Sequence, residues 1–200
     1  MQEDEIMPYQ FNLTRWCPPL SDTIRRTAND PQTEIVRKGN RYGEGHIVSP
    51  HPLFTTQVFN CNVVVLFGTE YGAMSHYPWL VNDPRNYVST FVDEVMDKSK
   101  SNGLEAVVIS GDTVGHEIIT EELDKKGIDI RAEFCDDFPT LLREDFGNAI
   151  LRYLTTGKEC ASYEGLAAEL GEKFVLAIPK TREVLLYSTA TKVGSRVLTR

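Results

Sequence analysis

The chain has 200 residues, 41% of them hydrophobic and 25% charged, the balance of a globular protein with room for one sizeable core. Its net charge of −8 repels phosphates and argues against nucleic acid as the main partner. No apolar run approaches the ~20 residues that span a bilayer. The acidic start, Met1 to Gln10, lacks the basic-then-apolar order of a secretory signal, so a cytoplasmic setting without membrane insertion is expected.

Residues 1–33 are rich in Pro, Asp, Glu and Asn and read as a partly disordered extension, with Trp16 and Pro18-Pro19 as anchors. Short strands follow at Glu34 to Arg37, His46 to Ser49 and Leu53 to Phe59, with Gly39, Gly43 and Gly45 marking turns in the first gap. The β-branched run Asn62 to Phe67 is the clearest strand. The Gly68 to Gly72 turn returns the chain through Ala73 to His76 as a β-hairpin. Val88, Phe91, Val92, Val95 and Met96 repeat at helical spacing over 86–101, and Gly103 lies where a C-terminal cap is expected.

Leu104 to Ile109 reads as a strand, Val114 to Lys126 as a helix closed by Gly127, and Ile128 to Phe134 as an alternating strand. A strand at Asn148 to Leu154, a helix at Tyr163 to Leu170 and strands at Lys173 to Ile178 and Glu183 to Tyr187 complete the pattern. Hairpins mixed with strand–helix–strand units predict an α/β protein with mixed sheets. Residues 34–160 form the main domain in this reading. Residues 161–200 add a helix and a hairpin packed on it, the hairpin at a sheet edge.

Cys17, Cys61, Cys135 and Cys160 are scattered, with no C-x-x-C pair and no Cys/His cluster at zinc spacing. Reduced thiols, no metal and no cofactor are therefore expected, and Asp112 and Asp136-Asp137 read as solvated turn carboxylates. If the hairpin turn centres on Thr69 and Glu70, position 67 faces 72 and position 61 faces 78. His76 then lies diagonal to Cys61 on one sheet face, with Cα atoms roughly 7–8 Å apart. A slip of one residue would separate them. A thiol with its ordinary pKa of about 8.5 needs a base at neutral pH, and an imidazole within reach supplies one. His46 and His51 are alternative bases. His116 reads as an exposed first-turn residue, and Cys135 and Cys160 as structural.

The stretch from Ile47 to Phe67, in which Thr55 stands six residues before Cys61, resembles the opening of the CheD family of protein-glutamine deamidases. Tyr71 to His76 is similar to that family's G-[GA]-M-x-H element. Val107 to Gly111, Val114-Gly115-His116, Lys126 to Ile130, Ala132-Glu133 and Leu151 to Lys158 follow in consistent order. The resemblance implies a layered sandwich of two packed mixed β-sheets flanked by helices. It also implies that Cys61 is the nucleophile, His76 the base and Thr55 the residue orienting the imidazole, with Thr56 in its place if the register differs by one. The expected reaction converts a glutamine of a partner protein to glutamate through a thioester. A chemoreceptor substrate and a CheC-like partner are the family's biology; a delivered effector would look alike.

Phe59-Asn60 replaces the family's Gly-Ser before the cysteine, which makes the Asn60 amide a candidate oxyanion donor. Trp79, beside Pro78, is a candidate lining residue. The same residues also suit another cysteine amidohydrolase, a transglutaminase-like acyl transferase, or a catalytically silent binding module.

Overall fold

The computed structural model describes residues 23–24, 26–39, 45–58, 61–78, 83–99, 103–111, 113–135, 173–188 and 193–198. Ten strands and two long helices occur among them, in the order β1 (Glu34–Ile35), β2 (His46–Ser49), β3 (Leu53–Val58), β4 (Cys61–Phe67), β5 (Gly72–Pro78), α1 (Pro84–Ser99), β6 (Glu105–Ser110), α2 (Thr113–Lys125), β7 (Asp129–Cys135), β8 (Lys173–Ile178), β9 (Glu183–Ser188) and β10 (Val193–Leu198). A 3₁₀ turn, Pro179–Thr181, joins β8 to β9. No helix among the described residues is long and apolar enough to cross a membrane.

The strands form two five-stranded sheets, ordered β1-β3-β8-β9-β10 and β2-β5-β4-β6-β7. Both are mixed, because β1 pairs with β3 and β6 with β7 in parallel while the other pairs are antiparallel. The α/β sandwich of two packed mixed sheets expected from the sequence is the observed architecture. Its logic is clearest in β4, whose seven residues are all buried. Alternate side chains of a strand point to opposite faces. Val63, Val65 and Phe67 therefore join Val175, Ala177, Val184 and Leu186 between the sheets. Val64 and Leu66 pack outward beneath Val88, Phe91, Val92 and Val95 of α1 and Ile119 and Leu123 of α2.

The helices start and stop where local chemistry dictates. Asp83 Oδ1 accepts the Asn86 N–H at 3.0 Å, an N-cap that starts α1 at Pro84, two residues before its apolar periodicity. Gly127 adopts φ +70° just beyond α2, a conformation that favours glycine at a C-terminal cap.

On the far face of the first sheet, Ile24 and Ala28 pack on Phe54, Phe174, Leu176 and Leu185. They belong to helical backbone at 23–24 and 26–28, within the segment read as an extension. The β8–β9 hairpin is not at an edge. β8 pairs with β3 on one side and β9 on the other, and β10 continues the sheet. The strand and helix expected at Asn148 to Leu154 and Tyr163 to Leu170 lie outside the described residues.

Candidate active site

The β4–β5 hairpin has the register that a turn centred on Thr69 and Glu70 requires. Phe67 faces Gly72, Val63 faces His76, and Cys61 faces Pro78, with the turn closed by Gly68 N–H donating to the Tyr71 carbonyl at 2.9 Å. Cys61 and His76 are therefore diagonal neighbours on one face. That face is the layer between the sheets: Cys61 packs in the same cluster as Val63, Val65 and Met74, and His76 reaches across to the opposite sheet. Cys61 is 1% exposed and His76 is fully buried.

The His76 backbone is clamped on its outer side. Its N–H donates to the Gly45 carbonyl at 2.7 Å, and its carbonyl accepts the Gly39 N–H at 2.8 Å. This approach depends on glycine at 45. A Cβ there would stand 2.3 Å from the Gly39 nitrogen and 2.4 Å from the His76 carbonyl oxygen, inside any real contact. The turn glycines of the sequence thus hold the histidine.

The ring is fixed by Thr55 of β3. Thr55 Oγ1 donates to the Val36 carbonyl at 2.7 Å and lies 2.7 Å from His76 Nδ1. A hydroxyl has one proton, and a backbone carbonyl can only accept. The Thr55 proton is therefore committed to Val36, so Nδ1 carries its own proton and donates it to Thr55 Oγ1. Nε2 is then the bare nitrogen, and it is buried with no hydrogen-bond partner among the described residues. Burial, followed by the positive charge of Lys38, pushes the His76 pKa down to about 3. The ring is neutral at physiological pH, and its free lone pair lies in the layer that holds Cys61.

The other histidines occupy different places. His46 lies on the outer face of β2, with Nε2 2.6 Å from Glu94 Oε2 and its ring 5.4 Å from that of Phe91. Facing α1, it cannot serve Cys61. His51 is an exposed loop residue. His116 is not the exposed residue expected: its side chain is 16% exposed, with Nδ1 3.3 Å from Ser110 Oγ and Nε2 2.9 Å from Glu133 Oε2. This chain ties α2 to the ends of β6 and β7 on the helix-covered face. Just beyond Ser110, the Gly111 N–H donates to the Cys61 carbonyl at 3.0 Å and anchors the start of β4.

Of the remaining sequence candidates, Thr56 is half-buried on β3, at the start of the irregular stretch between Thr55 and Val58. Asn60, Trp79, Asp112 and Asp136-Asp137 lie outside the described residues. Cys61 and Cys135 are not in disulfides, and Cys135 is exposed at the end of β7. Among the described residues no three His, Cys, Asp or Glu side chains gather as metal ligands. Sequence reasoning missed Lys173, a fully buried lysine that opens β8. A lysine at a strand start ordinarily reads as solvated.

No family model matches the chain, and no curated protein matches it. Among solved structures it is similar to the hypothetical protein YfiH of Bacillus licheniformis, at 12% identity and a TM-score of 0.38 over 54% of this chain and 62% of that one. The chain thus spans less than two thirds of YfiH. It is also similar to protein NMB0706 of Neisseria meningitidis, of family DUF152, at 9% identity and a TM-score of 0.40 over 64% of this chain and 72% of that one. At such scores neither likeness carries an activity across.

Neither neighbour is a CheD protein, and NMB0706 is of family DUF152; the CheD resemblance is corrected accordingly, together with the glutamine deamidase reaction and the chemotaxis-related role drawn from it. The physical reason is visible in the fold, where quoted words among the described residues have structural jobs. Val63 to Leu66 fill both core layers, and Lys126-Gly127 ends a helix. Ile128 and Ile130 pack beneath the helices. Such words recur wherever a hairpin precedes a strand–helix–strand unit.

Proposed function

We propose that the chain is a cysteine-nucleophile acyl hydrolase, with Cys61 as nucleophile, His76 as general base and then acid, and Thr55 as the residue that holds the imidazole tautomer. The observation that carries this is the Thr55–His76 hydrogen bond at 2.7 Å, whose donor order leaves Nε2 bare in the layer shared with Cys61. A base, a group that orients it and a nucleophile on the same sheet face are the parts that such chemistry needs.

The resting pair is thiol and neutral imidazole, because a ring whose pKa is about 3 does not hold a proton at neutral pH. Proton transfer therefore accompanies attack. As Cys61 Sγ bonds to the acyl carbon, its proton passes to Nε2. When the tetrahedral adduct collapses, the leaving group takes that proton and a thioester remains. Water then attacks the thioester, gives its proton to Nε2, and the departing thiolate recovers it. The imidazolium exists only while it faces the developing negative charge, the arrangement that favours the transition state over the resting state. Both side chains are buried, so the reacting acyl group meets them in the layer between the sheets.

The test is acyl trapping. The protein is incubated with 4-nitrophenyl acetate, and the Cys61 and Cys135 peptides are examined by mass spectrometry. An acetyl group on Cys61 that hydroxylamine removes, and that His76→Gln slows, supports the proposal. Acetylation at Cys135 alone refutes it.

A further inference from the structure

The segment that follows β1 touches both halves of the site. Val36 continues the first sheet, its N–H donating to the Phe54 carbonyl at 2.8 Å, and its own carbonyl takes the Thr55 proton at 2.7 Å. Three residues later, the Gly39 N–H donates to the His76 carbonyl of the second sheet at 2.8 Å. Three extended residues reach about 10 Å, the spacing of two packed sheets. Residues 36–39 therefore cross directly from one sheet to the other, beside the layer that holds Thr55, His76 and Cys61.

The crossing lies at an edge of the sandwich, because β1 and β2 are edge strands of their sheets. In the second sheet β5 stands between β2 and β4, so His76 lies between this edge and Cys61. Two strand spacings, about 10 Å, separate the edge strand from the strand of the thiol.

Arg37 and Lys38, in mid-crossing, are both exposed cations. The chain has 29 Asp and Glu against 21 Lys and Arg, and carboxylates engage cations elsewhere: Arg85 meets Glu121, Lys98 meets Glu94, and Lys126 meets Asp93. Neither Arg37 nor Lys38 makes an ion pair among the described residues. Of the two, Lys38 is the one whose charge acts on the His76 ring and opposes its protonation. The imidazolium that forms during acyl transfer meets that repulsion, and an anion resting on Lys38 offsets it.

We propose that Lys38, with Arg37 beside it, is the recognition point for an anionic group of the substrate, and that the acyl group transferred to Cys61 carries a carboxylate on a chain long enough to reach the edge of the layer. This rests on the reading of Cys61 as nucleophile and adds the substrate class. A net charge of −8 repels anions overall, so admitting one requires a local cation that no carboxylate of the chain has neutralised. A carboxylate bound there strengthens His76 as a base only when the acidic substrate is in place.

The test compares N-iodoacetyl-4-aminobutyrate with its neutral carboxamide, two alkylating agents of equal length and identical leaving group. With either reagent, Cys61 Sγ displaces iodide and the thiol proton passes to His76 Nε2. Rates are read by mass spectrometry at Cys61, with exposed Cys135 as internal reference. The anionic-to-neutral rate ratio should be about tenfold higher at Cys61 than at Cys135, within reach of one charge a few Å away at a partly hydrated site. Lys38 is exposed, so its variants keep the fold. Lys38→Gln should remove the excess by lowering the anionic rate without lowering the neutral one, and Lys38→Arg should keep it.

A native ratio at Cys61 no higher than at Cys135 overturns the proposal, and so does an excess that survives Lys38→Gln. His76→Gln separates the two readings: if both Cys61 rates are unaffected while the charge preference persists, the nucleophile reading fails and the recognition point stands. If neither reagent modifies Cys61, binding decides. Added glutarate should then shift the Lys38 side-chain NMR signals saturably, and signals that do not move overturn the proposal.

Discussion

Replacing His76 with leucine removes a titratable group whose folded pKa is pushed down to about 3, against an unfolded value near 6.5. The neutral ring is the form the fold accepts. Above the unfolded pKa both states hold the ring neutral, and the linkage contributes nothing. As pH falls below 6.5 the unfolded chain binds a proton that the native protein refuses, so stability is lost at about 1.4 kcal/mol per pH unit until the folded pKa is reached. From pH 7.5 to pH 5 the loss from this residue is about 2 kcal/mol, and down to pH 3 it reaches about 4 kcal/mol. The ring is buried in full, so solvent screening does not reduce the figure appreciably.

The assay is urea unfolding followed by tryptophan fluorescence, on wild type and His76→Leu, at about pH 7.5, 6 and 5. The stability difference between the two proteins should shift by about 2 kcal/mol against wild type on acidification, because only wild type carries the linkage. Parallel curves would mean that His76 titrates alike in both states and would refute the buried neutral ring. A relative gain by wild type on acidification would mean a raised pKa, and so a resting imidazolium.

Three further outcomes follow from the same geometry. Thr55→Val strands the Val36 carbonyl and the His76 Nδ1–H, and should cost about 1–3 kcal/mol by denaturant unfolding while slowing Cys61 alkylation. Thr55→Ser should restore both. Gly45→Ala places a methyl against the Gly39 nitrogen and the His76 carbonyl, and should slow Cys61 alkylation as well as lower stability; unchanged reactivity would deny the clamp a role. Phe91→Ala empties a buried position beneath α1 and should cost about 3–5 kcal/mol without altering the Cys61-to-Cys135 reactivity ratio.

The hairpin was legible because two local signals agree. The β-branched run sets which strand is central, and Gly68 with Gly72 bounds a turn that admits one register, which puts Cys61 and His76 on one face. The helices were legible from their apolar faces, with the start of α1 shifted by the Asp83 cap. The partner of β8 was not, because a strand alternating Val, Leu and Ala suits an edge or a centre equally, and pairing is decided across more than a hundred residues by β3. The strand β10 has Gly194, Ser195 and Arg196 in its middle and too little apolar alternation to read.

The place of Thr55 came from the position of a motif, yet its role rests on a non-local fact, the Val36 carbonyl that takes its proton. Lys173 was missed because burial at a strand start is a property of the opposing sheet. The family itself was misread because words that build a hairpin and a strand–helix–strand unit carry packing information before they carry chemistry.

The central claim is that His76 serves Cys61, and the most direct measurement is the rate of Cys61 alkylation by iodoacetamide in wild type and His76→Gln across pH. The account predicts that the substitution slows Cys61 modification by about a hundredfold while the exposed Cys135 is unchanged. A Cys61 rate indifferent to His76 would contradict it.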